Sequence, residues 1–154
     1  MKIMINLALA IMLVTMLAAC GGSPEQQSTP GTSSAAPRAN TNDPLTNKGI
    51  GPVKQLTLGE LNPAMATEGE EIYKKMCSAC HKPTEKFIGP APKGILDRRS
   101  PEWVMNMILN PEEMVKSDPI AKQLLIEANL APMANQHLTE QQARSVLEYF
   151  RTIR

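Results

Sequence analysis

Cys77-Ser78-Ala79-Cys80-His81 is the stretch of this 154-residue chain whose residue types and spacing point most directly to chemistry. Two thiols three positions apart on a helical turn can reach the two vinyl groups of one haem, and the next residue then offers an imidazole to the iron. The thioethers would hold the cofactor even when its axial ligands loosen. Two other chemistries fit a CxxC pair. A zinc site needs four ligands; beyond these three side chains only His137 is on offer, because Cys20 ends an apolar leader. A dithiol redox pair wants a βαβ setting, and no strand-like alternation surrounds this one. Haem is the leading reading, with zinc and dithiol left open.

Such a motif needs elements to carry it. Thr67 and Glu70 form a capping-box pattern that predicts the start of a first helix, with Ile72, Tyr73 and Met76 on one face. Gly69 lies one turn before Tyr73 on that face, and a glycine there predicts a close helix contact. Ser100-Pro101-Glu102 predicts a second helix, with Trp103, Val104, Met107 and Ile108 inward, Met105 on the opposite side, and Asn110-Pro111 as its end. Asp118-Pro119 predicts a third, burying Ile120, Leu124, Leu125 and Ala128. Thr139 with Gln142 predicts the last, with Leu138 stapled onto Ala143 and an apolar face of Ala143, Val146, Leu147, Phe150 and Ile153. The expected fold class is all-α, with three to four short helices.

Composition divides the chain unevenly. The five aromatics all lie at or beyond Tyr73, while six of the 13 prolines fall between residues 21 and 66. Residues 20–66 read as a disordered Pro/Ser/Thr-rich tether, too poor in large apolar groups to offset chain entropy. Within it, Ile50, Val53, Leu56, Leu58 and Leu61 could form a short extended segment that packs on the domain. Residues 67–154 remain as one domain, too short for a large multidomain enzyme and of a size that commonly relies on a staple, metal or cofactor. The chain carries 16 Lys and Arg against 15 Asp and Glu, with no basic stripe, so nucleic-acid binding gains no support.

Residues 1–19 read as an export signal: Met1-Lys2, then an apolar run from Ile3 to Ala19 broken by Asn6 and Thr15. The run is also close to the minimum for a retained membrane helix. Its ending, Leu17-Ala18-Ala19-Cys20, resembles the bacterial lipobox. That resemblance implies cleavage before Cys20 and lipid attachment to its thiol. The chain would then be exported and lipid-anchored, with its folded domain in the periplasm or otherwise outside the cytoplasmic membrane.

Residues 67–154 resemble the class I c-type cytochromes, small monohaem electron carriers. Gly69 and Tyr73 precede the CxxCH at the family's spacing, and Val146 and Tyr149 match its partner positions on the last helix. Gly89-Pro90 follows the histidine by a short loop, and Pro132-Met133 precedes the last helix. The resemblance implies one covalent haem c with iron, attached at Cys77 and Cys80. It implies His81 as axial ligand, its free nitrogen bonded to the Pro90 carbonyl, and Met133 as the methionine ligand. The order Pro132-Met133 departs from many relatives, which place proline after methionine.

Met105, Met107, Met114 and Met133 are the candidate sulfur ligands beyond the motif, with His137 as a rival. Met133 is favoured, because a loop presents a thioether without helical constraint; His/Met ligation raises the potential and bis-His lowers it. Arg98, Arg99 and Trp103 are candidates to bond a haem propionate, Arg98 reading better as a solvated base. The expected function is electron carriage without catalytic turnover, by a monomeric domain serving redox partners such as terminal oxidases or nitrogen-oxide reductases. The alternatives are a sensor or peroxidase with an open distal site, and a fixed subunit of a respiratory complex.

Overall fold

The computed structural model describes residues 43–153; the leader, Cys20 and the first part of the expected tether lie outside them. Five α-helices and no strand occur among the described residues: α1 (Pro63–Met76), α2 (Pro101–Leu109), α3 (Pro111–Ser117), α4 (Pro119–Glu127) and α5 (Glu140–Thr152). The all-α expectation holds. Four of the five begin with proline, whose fixed φ and missing N–H suit the first helical position. Ser100 caps α2 through the Trp103 N–H and Asp118 caps α4 through the Ala121 N–H. Thr139 and Gln142 close the capping box of α5.

Two local expectations are corrected. α1 starts four residues before Thr67, capped by Asn62 through the Met65 N–H at 3.1 Å. Thr67 lies inside the helix and turns its hydroxyl back to the Pro63 carbonyl. Asn110-Pro111 ends α2 but also begins α3, because a proline that cannot continue one helix can start the next.

The frame that carries the site is the crossing of α1 and α5. A Cβ on Gly69 would collide with the Ser145 carbonyl, so only glycine permits this approach. Above it Tyr73 packs on Tyr149 and, edge to face, on Phe150, with centroids 5.3 and 5.9 Å apart. Val146, Leu147 and Ala143 are wholly buried beneath. α2 is buried on nearly every side: Met105, expected on its outer face, is in the core with Trp103, Val104 and Ile108.

What covers that outer face is the segment 43–61, and here the tether expectation is corrected for these residues. They form a strap laid against the helices, with Val53 buried as the apolar segment predicted. The Asn106 amide donates to the carbonyls of Lys48 and Val53 and accepts the Val53 N–H. Glu102 accepts the Leu56 N–H, Asn110 donates to Ile50, and the Met114 sulfur accepts the Ile50 N–H. On α5, Arg151 donates to the Gly59 carbonyl and pairs with the buried Glu148, which Arg144 also grips. Burial opposes charge on Glu148, but the two guanidiniums outweigh it and hold its carboxyl below the usual range. The strap therefore needs few apolar residues, because helix side chains satisfy its backbone.

Candidate functional site

The CxxCH begins where α1 ends. The Cys77 and Ser78 N–H groups both donate to the Tyr73 carbonyl, and the Cys80 and His81 N–H groups to the Cys77 carbonyl, so the helix tightens into a single turn. This turn brings Cys77, Cys80 and His81 to the wall of one cleft. His81 is fixed from three sides. Its Nδ1–H donates to the Pro90 carbonyl at 2.8 Å, which leaves Nε2 as the nitrogen open to a metal. The Tyr73 hydroxyl donates to its carbonyl at 2.7 Å. Gly89 lies against the imidazole, where a Cβ would overlap the ring. The Gly89 N–H donates to the Cys80 carbonyl, tying this loop back to the motif.

The rest of the cleft is built from apolar side chains of all five helices, among them Trp103, Met107, Leu124, Val146 and Phe150. Met133 enters its wall from the loop between α4 and α5. The candidate sulfur ligands thus separate. Met114 is fully buried under the strap and Met105 lies in the core, whereas Met107 and Met133 both wall the cleft. Met107 was expected in the core; it faces the cleft because the strap, not the domain centre, covers the other side of α2. His137 is exposed and stands outside the cleft wall.

The propionate candidates separate too. Arg98 braces the turn after Pro90, donating to the carbonyls of Ala91, Lys93 and Gly94, a role that sequence reading missed. The Trp103 indole N–H is committed to Asp118 at 3.1 Å. Arg99 lies over the Trp103 ring at 5.4 Å, and its buried Nε has no partner.

These residues fit a haem. The cleft offers apolar walls for a macrocycle, two thiols at its edge, an oriented imidazole and a thioether, while the orphan Nε of Arg99 lies behind Trp103 and outside the cleft lining. They fit the other chemistries poorly. Burial, and next the neighbouring Cys80, push the Cys77 thiol up to about 11, the reverse of what a reactive dithiol requires. Among the described residues no group of three or more His, Cys, Asp or Glu side chains could hold a bare metal ion.

Fold and cleft together define a small all-α protein built round a covalently bound haem. Residues 66–154 match the family model described as Cytochrome c, and the chain belongs to the cytochrome c family. Haem c with its iron is accordingly the cofactor, and the protein is a haem electron carrier of that family. A solved cytochrome c from Rhodothermus marinus is similar, with 43% identity over 67% of this chain and 89% of that one and a TM-score of 0.64. An engineered cytochrome c from the same organism, bound to a carbene intermediate, is 43% identical with the same coverage and a TM-score of 0.62. No curated protein matches the chain.

Proposed function

We propose that Cys77 and Cys80 attach the haem, that His81 Nε2 and Met133 Sδ ligate its iron, and that the protein relays single electrons without turning over a substrate. The observation that carries this reading is the convergence of an oriented imidazole and one loop-borne thioether on the same cleft, with His137 excluded from its wall. Haem c supplies a one-electron couple. The chain's part is to keep both axial positions filled, exclude water with apolar walls, and leave an edge near the surface. Met76 and Ile88 stand at that edge, both exposed and both lining the cleft.

The partner reading follows from charge placement. Residues 74–99 carry five lysines and two arginines against only Glu85 and Asp97. A domain neutral in sum is therefore basic around its attachment edge, which favours a partner with an acidic docking face. Terminal oxidases and nitrogen-oxide reductases are the partner classes proposed. Export and lipid anchoring at Cys20, with the domain in the periplasm or outside the cytoplasmic membrane, complete the proposal and rest on the leader and the lipobox-like tetrad.

Optical spectra of the haem-loaded protein test the ligation. A c-type reduced spectrum, a weak near-infrared-edge band of sulfur-ligated ferric haem, and loss of that band in Met133→Ala are expected. A band that survives in Met133→Ala and disappears in Met107→Leu would transfer the ligand role to Met107. Absence of any haem spectrum after expression with attachment machinery would defeat the reading.

A further inference from the structure

Asp118 exposes only 2% of its surface, and electron relay as proposed above makes no use of it. Three donors converge on its carboxylate. One oxygen accepts the Trp103 indole N–H at 3.1 Å and the Ala121 backbone N–H at 2.8 Å. The other accepts the side-chain amide of Asn47 at 2.6 Å. The bond from Ala121 is an ordinary helix cap. The other two join distant parts: Asn47 belongs to the strap, and Trp103 walls the cleft. Asn47 is itself held, its carbonyl accepting the Ser100 hydroxyl at 2.6 Å and its Oδ1 the Gly49 N–H at 2.8 Å. Arg99, over the same indole, interacts electrostatically with Asp118.

We propose that Asp118 is a positioning residue that makes the haem potential depend on docking of the strap, through the chain Asn47–Asp118–Trp103. The proposal rests on haem occupying the cleft that Trp103 walls. Ferric haem carries one more positive charge than ferrous haem, so a buried carboxylate one side chain away favours the oxidised form. Low local dielectric strengthens that effect. Asn47 opposes it, because its N–H draws negative charge toward the strap. The docked strap thus holds the potential above the value Asp118 would set if Asn47 left. Trp103 carries the same contact into the cleft wall, since its indole plane is fixed by the bond to Asp118. A buried polar group that loses its partner is strongly disfavoured, so strap and carboxylate dock as one unit. The segment leading toward the N-terminus would in this way tune the cofactor it accompanies.

Redox titration of the full haem-loaded chain, followed by its visible spectrum, tests the proposal. Asn47→Ala is expected to lower the potential, by removing the donor that tempers the carboxylate. Asp118→Asn is expected to raise it, by removing the charge. Mere loosening of the domain would admit water, favour ferric haem in both variants and move both potentials down. Opposite shifts therefore support the proposal, and shifts of one sign, or none, overturn it. Should Asp118→Asn fail to fold, the exchange Asn47→Asp with Asp118→Asn keeps a donor facing an acceptor and moves the carboxylate out to the strap. A potential above wild type in the exchange supports the proposal, and a potential at or below wild type overturns it. A missing c-type spectrum would instead defeat the haem reading on which the proposal rests.

Discussion

His81 and Met133 reach the same cleft from chain segments built in contrasting ways. The loop from Cys77 to Gly94 is stapled at every few residues. Tyr73 holds the His81 carbonyl, Pro90 holds Nδ1, Gly89 bonds back to Cys80, Lys93 bonds back to Pro83, and Arg98 ties three carbonyls of the following turn. The Met133 loop has little of this. Among the described residues, the only hydrogen bonds of its backbone between 132 and 138 lie within the loop, from the His137 N–H to Asn135 Oδ1 and from Gln136 to the Ala134 carbonyl. Both ends of this loop take left-handed φ without glycine: 55° at Asn129 and 63° at Leu130, then 53° at His137. The fold thus orients the imidazole by itself, whereas the thioether is placed by the ends of its loop. Under the His81/Met133 ligation proposed above, ligand exchange belongs on the methionine side.

The largest effect should come from breaking the stapled side. Gly89→Val drives branched carbons into the His81 ring, which its bonds to Pro90 and Tyr73 hold in place. Strain of this kind costs about 3 kcal/mol. Ala134→Val, on the exposed methionine loop, should change stability by less than about 0.5 kcal/mol. Denaturant unfolding of the two variants, side by side, measures the contrast. Equal costs would mean that the two segments are held alike.

A smaller effect isolates one staple. Tyr73→Phe removes the hydroxyl bonded to the His81 carbonyl and should cost about 1 kcal/mol at neutral pH. It should also alter the alkaline limb. Burial, and next Tyr149, push the Tyr73 phenol from 10.0 up to about 12. The fold therefore favours the neutral phenol. Its stabilising contribution is complete below pH 10, where the unfolded phenol is also neutral, and is lost as pH rises toward 12. Wild type should accordingly lose stability over that window faster than Tyr73→Phe. Parallel curves would show that this phenol is not what titrates.

The same contrast explains what could be read from the sequence. The proposed covalent attachment needs Cys77, Cys80 and His81 within one turn, so that wall is written contiguously and is legible at once. Gly69 and Tyr73 are legible because a helix crossing imposes a fixed period. The strap is not legible, because its hydrogen-bond partners, Asn106, Asn110 and Asp118, stand some 50 to 70 residues away and look like ordinary helix surface and cap residues. Once the strap is in place, the exchanged environments of Met105 and Met107 follow, since a helix covered on both faces has no outer side for a pattern to mark. The early start of α1 had a signal in Asn62-Pro63, which competes with Thr67 and succeeds because proline cannot sit further inside.

The smallest predicted effect tests the methionine loop directly. Leu130 holds φ at 63° with 68% of its surface exposed, so its side chain returns little burial for a conformation that leucine disfavours. That conformation costs on the order of 1 kcal/mol for a residue with a Cβ. Leu130→Gly relieves the cost but gives the unfolded chain more freedom, so the net gain should be about 0.5 kcal/mol. The stapled side gives the opposite sign for any comparable change, because there Gly89 is already present and both its N–H and its carbonyl are bonded. Denaturant unfolding read beside carbon monoxide binding separates backbone strain from iron ligation. A more stable Leu130→Gly with unchanged slow binding of the gas means that the strain is local to the loop's end. A more stable variant that binds the gas faster means that the strained end also holds Met133 in place.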